Sequence, residues 1–214
     1  AERLFSQMKG FGAYGFPESH SASFALLAYA SAWLKRHYPA AFYCGLLNSQ
    51  PMGFYSPSQL IQDARRHNIE VRAICINHSH WDHQLEGDPQ APALRLGLRL
   101  IKGLPKSSAT QLCQVRQDAL FHSIDDFCTR LNIAKQYWQQ LVQADAFHCF
   151  NLHRYQSLWE ISAWQAPAPL GNLQAKQDET IQLSPPVETE EVLSDYRHTG
   201  VTLRRHPLAL LRSH

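Results

Sequence analysis

The run His78-Ser79-His80-Trp81-Asp82-His83 packs three imidazoles and a carboxylate into six residues. Neutral imidazoles and a carboxylate are zinc ligands, and a zinc-bound hydroxide hydrolyses esters and amides. A second group is spread along the chain instead: His20, Phe24, Ala28, Ser31 and Lys35 follow one another in steps of four, four, three and four. That spacing puts them on one side of a helix, with Ser19 at its start. The stripe offers a donor for a phosphate or base edge at His20, a flat ring at Phe24, free space at Ala28 and a cation at Lys35. Two-metal phosphoryl transfer needs two or three carboxylates converging on one point, and the aspartates are scattered over loops and helix caps. The five cysteines form no Cys-x-x-Cys pair, so they read as buried reduced thiols.

The elements that must carry these residues are mostly helices. Residues 21–38 are rich in Ala and Leu, contain neither Gly nor Pro and stop at Pro39, which predicts a helix of about five turns capped by Ser19 or Ser21. Its apolar face comprises Ala22, Ala25, Leu26, Tyr29 and Trp33. Pro39 starts a shorter helix through Leu47, and Ser56-Pro57 caps a third to His67. Alternation over residues 69–76 and 94–98 predicts two short strands around the histidine-rich loop. Further helices are expected over 107–116, 123–131, 135–144, 152–164 and 187–198, with a proline-bearing linker over 165–186. The fold class is therefore mainly α with a small β element.

With 214 residues, 44% of them hydrophobic, the chain can fill a real core. The longest apolar run, near residues 23–34, is too short to cross a bilayer. No secretion signal opens the chain, and a cytoplasmic location is expected; the start at Ala1 without Met suggests a piece of a longer protein. Net charge is only +2, yet it is unevenly placed. Between Pro89 and Gln117 stand Arg95, Arg99, Lys102, Lys106 and Arg116 with no acid, and four arginines follow Asp195. Such basic patches are what phosphate contacts need.

Longer matches set these pieces in order. Lys9-Gly10-Phe11-Gly12-Ala13-Tyr14-Gly15-Phe16-Pro17-Glu18-Ser19-His20 continues through the Ala-rich helix to Leu34-Lys35-Arg36-His37-Tyr38-Pro39. This stretch resembles the fingers segment of the bacterial C-family DNA polymerases, the DNA polymerase III α subunits. Pro17-Glu18, where replicative members usually carry Asn-Lys, is similar to the error-prone branch expressed during DNA damage. So are residues 48–56, Asp63-Ala64-Arg65-Arg66-His67 and the closing Gly200-Val201-Thr202-Leu203-Arg204-Arg205-His206-Pro207-Leu208. Residues 94–160 resemble that family's tandem helix-hairpin-helix module, and Asn77-His78-Ser79-His80-Trp81-Asp82 matches a run following its strand. The histidine run also matches the metallo-β-lactamase-like signature, but that family's later ligands have no counterpart among the helices after residue 107.

The resemblance implies three parts: a fingers segment over 1–90, a tandem helix-hairpin-helix module over 91–165, and over 166–214 a linker and terminal helix leading toward an oligonucleotide-binding domain that the chain lacks. It implies that Ser19, His20, Phe24 and Lys35 meet the incoming deoxynucleoside triphosphate. It implies that Arg99, Lys102, Gly103, Leu104 and Lys106 grip primer-template DNA, although Pro105 replaces a glycine and has no N–H to donate. The second hairpin, Gln143-Ala144-Asp145-Ala146-Phe147, lacks glycine and is expected mainly to pack. The palm carboxylates that hold Mg2+ in this family lie outside the chain, so neither catalytic residues nor a metal site are expected here. Accessory translesion proteins and a sliding clamp are the implied partners of the full-length protein. Two alternatives are a stand-alone DNA-binding repair module and a zinc hydrolase using His78, His80, Asp82 and His83.

Overall fold

The computed structural model describes residues 18–165 and 181–212. Nine α-helices are described: α1 (Glu18–His37), α2 (Pro39–Asn48), α3 (Pro57–Arg66), α4 (Lys106–Asp118), α5 (Ile124–Arg130), α6 (Lys135–Gln143), α7 (Arg154–Ala163), α8 (Glu188–His198) and α9 (Pro207–Leu211). Three short strands, β1 (Val71–Arg72), β2 (Gln84–Glu86) and β3 (Ala93–Arg95), form one sheet in the order β1-β3-β2. β3 runs parallel to β1, pairing Val71 with Leu94, and antiparallel to β2, pairing Leu85 with Leu94. Mainly helical structure with a small β element is thus what the chain adopts.

Local chemistry explains most boundaries. Ser56 accepts from the Gln59 N–H while Gln59 reaches back to the Ser56 N–H, closing a capping box, and Pro57 fills the first helical position. Ser123 caps α5 through the Asp126 N–H. Three expectations are corrected. The helix expected to be capped by Ser19 or Ser21 begins at Glu18, so both serines lie inside it. The helix expected from Ser107 begins at Lys106, with Pro105 in the extended conformation before it. The two expected strands shrink to Val71–Arg72 and Ala93–Arg95, because the flanking backbone is spent on turns and on the histidine-rich loop. The glycine-rich segment and most of the proline-bearing linker lie outside the described residues.

One continuous core runs from Ala40 and Tyr43 on α2 through Leu94, Leu96 and Leu98 to Phe127, Trp138, Phe147 and Val201. Its aromatic centre is Phe127, edge-on to Phe121, Trp138 and Phe147 at centroid distances of 5.2, 6.2 and 4.9 Å. The C-terminal segment is locked on by charge. The Arg154 guanidinium, 3% exposed, donates to Glu191 and, at 2.7 Å, to Asp195; Arg204 bonds Asp195 at 2.9 Å and Asp145 at 2.8 Å. Asp195 also accepts from the Thr202 hydroxyl at 2.7 Å. Arg205 pairs with Glu188. Two of the four arginines after Asp195 are therefore structural ties. α1 stands apart from the core: Phe24, Leu26, Leu27, Tyr29 and Trp33 are all exposed.

Candidate nucleic-acid interface

The histidine-rich loop is a brace. The Ser79 hydroxyl donates to the Leu96 carbonyl at 2.6 Å and accepts from the Cys75 N–H, while buried Arg116 donates to the carbonyls of Ile76 and Ser79 at 2.7 and 2.8 Å. Leu98 and Arg99 N–H groups bond the carbonyls of His80 and Trp81. Gly97 lets these backbones meet, since a Cβ there would lie 2.5 Å from the Trp81 oxygen. The four zinc-ligand candidates are dispersed. His78 and His80 face solvent, Asp82 accepts from Arg99 at 2.9 Å, and His83 is buried, taking the Gly97 N–H on Nδ1. Burial holds the His83 imidazole down at about 4. Among the described residues no group of three or more His, Cys, Asp or Glu could hold a metal ion, so the zinc-hydrolase alternative has no site here.

What the loop braces is a hairpin. A 3-10 turn, Leu98–Leu100, leads through Ile101-Lys102-Gly103-Leu104-Pro105 into α4. The leading helix is thus reduced to a single turn. Gly103 has φ +79°, and an added Cβ would come within 2.7 Å of the Gln140 amide nitrogen on α6. Leu104 is buried and anchors the turn. A second hairpin joins α6 to a 3-10 turn at His148–Phe150. Asp145, at φ 58°, occupies the left-handed position there, and its carboxylate is taken by Arg204. The second turn is thus occupied by an internal ion pair, whereas the first hairpin presents no carboxylate and has Lys106 beside it.

The five bases between Pro89 and Gln117 have different fates. Arg95 is buried and pairs with Glu86 at 2.6 Å. Arg99 donates to the carbonyls of Asn48 and Gln50 and to Asp82, tying the end of α2 to the loop. Lys102 donates from Nζ to the carbonyls of Tyr196 and Arg197, capping the negative end of α8. Arg116 is the loop brace already described. Lys106 is exposed on the first turn of α4; its carbonyl accepts from the Thr110 hydroxyl, and its ammonium makes no hydrogen bond or ion pair to the described residues. The uninterrupted basic patch expected from the sequence is therefore one free lysine and four engaged cations.

On α1 the structure brings His20 and Phe24 together, ring centroids 4.6 Å apart and edge-on. Phe24 is 56% exposed, which excludes a role in the described core. Lys35 lies eleven residues beyond Phe24, roughly 16 Å along the axis, and donates to Asp63 at 2.9 Å. That contact raises the Lys35 pKa, and the Tyr43 hydroxyl, donating to the same carboxylate, together with Lys35 lowers that of Asp63. Ser19 lies in the first turn of α1, and its side chain is outside the described set. Two positioning contacts escaped the sequence analysis. Asn48 pairs both ways with the His83 backbone, accepting at 2.8 Å and donating at 2.9 Å, and Gln140 lies under Gly103. An asparagine at a helix end before a turn with Pro51 was the available signal for the first; no local pattern marks the second.

Each of the two turns holds a left-handed residue, and residues 68–157 match the family described as "Helix-hairpin-helix motif". Over its whole length the chain is homologous to error-prone DNA polymerases. It is 50% identical to that of Methylococcus capsulatus over 232 residues, covering 99% of this chain and 22% of that protein. It is 49% identical to the enzymes of an Azoarcus species and of Pseudomonas aeruginosa, covering 100% and 99% of this chain and 21% of each. The chain thus spans about a fifth of the length of the curated relatives it matches.

Proposed function

We propose that the chain serves, within an error-prone, translesion DNA polymerase, to bind primer-template DNA and the incoming nucleotide. The observation that carries this reading is the first hairpin, where Gly103 sets a left-handed turn and unengaged Lys106 opens α4. The N–H groups of the first turn of α4 and the Lys106 ammonium are placed to take a backbone phosphate. Leu104 fixes the turn from below. Lys102 and Arg99 hold the turn through protein carbonyls and add to the local positive field rather than supplying the first contact. Pro105 takes away one N–H.

At the other end, His20 and Phe24 form an exposed imidazole-ring pair suited to an incoming deoxynucleoside triphosphate, with Ser19 beside them and Lys35 positioning α1 through Asp63. Functionally the chain divides into a fingers segment over 1–90, tandem hairpins over 91–165 and a linker with terminal helix over 166–214. On this reading the Mg2+ of nucleotidyl transfer is held by carboxylates of the parent polymerase outside this chain. No described helix is long and apolar enough to cross a membrane. A cytoplasmic bacterial location, accessory translesion proteins and a sliding clamp follow from the polymerase reading alone.

The test is fluorescence anisotropy with a labelled primer-template and three forms of the chain: wild type, Lys106→Ala and Lys135→Ala. Lys135 opens α6 and donates to the Ser162 carbonyl, so it controls for removal of a lysine that is already engaged within the chain. Lys106→Ala should weaken binding severalfold on every DNA sequence, and Lys135→Ala should not. Equal effects, or none from Lys106, would reject the hairpin assignment. A free-standing repair module is the second reading; it requires the same DNA contact and is separated by asking whether Lys106→Ala in the parent polymerase lowers primer extension.

A further inference from the structure

A groove of about 500 Å³ opens between the last turn of α1, α2 and α3, well away from the hairpins along the chain. That volume lies in the range of small-molecule and cofactor sites. Its walls combine three kinds of chemistry. Phe42 and Tyr55 supply flat apolar surface, Tyr55 being 59% exposed with its backbone carbonyl held by Gln50. Gln59 spends its carbonyl oxygen on Ser56 and keeps its NH2 group, whereas Gln62 donates to Ser58 and keeps its carbonyl. Arg66 is exposed, lines the groove and makes no hydrogen bond or ion pair to the described residues. The one acid in the groove, Asp63, is offset by the Lys35 ammonium at 2.9 Å and accepts from the Tyr43 hydroxyl, which leaves Arg66 as the cation without a described partner.

We propose that this groove is a subsite for one unpaired nucleotide of a single DNA strand, its base stacked on Tyr55, its polar edge read by Gln59 and Gln62, and its phosphate held by Arg66. Charge complementarity favours a nucleic-acid strand, because Lys35 and Arg66 line the groove and Arg36 and His37 follow Lys35 in the last turn of α1, against the single carboxylate of Asp63. The neighbouring Phe54 ring, 91% exposed, gives the next base a second stacking surface. A paired base hides its faces inside a duplex, so an aromatic wall of this kind selects the single strand. The inference rests on the DNA-binding reading and extends it to a second surface, where the polymerase would hold template not yet copied.

The test measures binding of a fluorescein-labelled oligothymidylate and of a labelled duplex to the chain and to Tyr55→Ala, Tyr55→Phe, Arg66→Ala and Lys106→Ala. Tyr55 and Arg66 are exposed, so circular dichroism should show unchanged folding. Tyr55→Ala should weaken oligothymidylate binding by roughly 5- to 100-fold, the loss expected when one base loses its stacking partner. Tyr55→Phe should bind like wild type, Arg66→Ala should lose severalfold, and neither position should affect the duplex. Unchanged oligothymidylate binding in Tyr55→Ala and Arg66→Ala would overturn the subsite while leaving the hairpin reading intact. Failure of Lys106→Ala to affect the duplex would reject the hairpin reading and leave the groove result standing. Deoxythymidine triphosphate that displaces the oligonucleotide from wild type by way of Tyr55 would make the ligand a free nucleotide and overturn the strand assignment.

Discussion

Replacing Arg154 by Met removes the centre of the charge network that holds the C-terminal segment on the second hairpin. In the wild type, Arg154 and Arg204 face Asp145, Glu191 and Asp195. The variant leaves three carboxylates to one guanidinium. Glu191 and Asp195 have side chains 9% exposed, so water does not replace the lost partner. Breaking a buried pair from one side costs on the order of 3 to 5 kcal/mol. For a chain of this size that corresponds to a fall in Tm of roughly 6 to 20 °C, read by circular dichroism or calorimetry. The sign of the pH dependence is a further check. Burial already raises the Glu191 pKa above its unfolded value, and removing Arg154 raises it further. A carboxylate with a raised folded pKa is less destabilising when protonated, so the Tm deficit of Arg154→Met should shrink as pH falls from neutral through the carboxylate range. Adding Glu191→Gln should recover part of the loss, giving a coupling energy of about 1 kcal/mol or more. A Tm change below 2 °C at neutral pH, or a deficit that grows on acidification, would refute the reasoning.

Gly103→Val should cost about 1 to 2 kcal/mol, because φ +79° is a left-handed conformation that a branched side chain resists; denaturant midpoints measure it, and a neutral substitution would show that the turn readjusts. His83, with a pKa near 4 against 6.5 when free, makes the fold less stable as pH falls from 6.5 toward 4, by up to about 3 kcal/mol. The slope of stability against pH should flatten in His83→Leu, and an equal slope would place the proton elsewhere. In the parent polymerase, His20→Ala should lower kcat/KM by roughly tenfold to a hundredfold, as loss of one or two charge-assisted contacts would. Phe24→Ala should impair nucleotide binding with little change in Tm, since the ring is 56% exposed; a large Tm loss with normal incorporation would retire the pocket.

Much of this architecture was legible because the signals are local. Ser56-Pro57 and Ser123 announce helix starts through their own hydroxyls, and Pro39 fixes a boundary by lacking an N–H. The first strand was overestimated because the alternation of Val71, Ala73 and Cys75 with Glu70 and Arg72 does not persist in the fold: Ala73 is exposed, and Ile74, Cys75 and Ile76 are buried in succession outside the sheet. Charge was harder still. Arg95, Arg99 and Arg116 stand in an acid-free run, yet their partners are Glu86, Asp82 and backbone carbonyls brought in from earlier in the chain. Sequence counts cations but does not show where carbonyls converge. Lys102 is the clearest case, because the end of α8 that it caps lies more than ninety residues away. The histidine loop reversed in the opposite sense: spacing suited to a metal serves to position a hairpin through Ser79, with His83 buried as a neutral ring.

The central claim, that the first hairpin grips the DNA backbone at Lys106, is tested most directly by the salt dependence of duplex binding. The logarithm of the association constant should fall linearly with the logarithm of salt concentration, and Lys106→Ala should reduce that slope by about 0.9, the share of one phosphate contact. Lys102→Ala should leave the slope unchanged and lower Tm instead, because its ammonium is spent on α8. An identical slope for wild type and Lys106→Ala, with Lys102→Ala the variant that flattens it, would contradict the account.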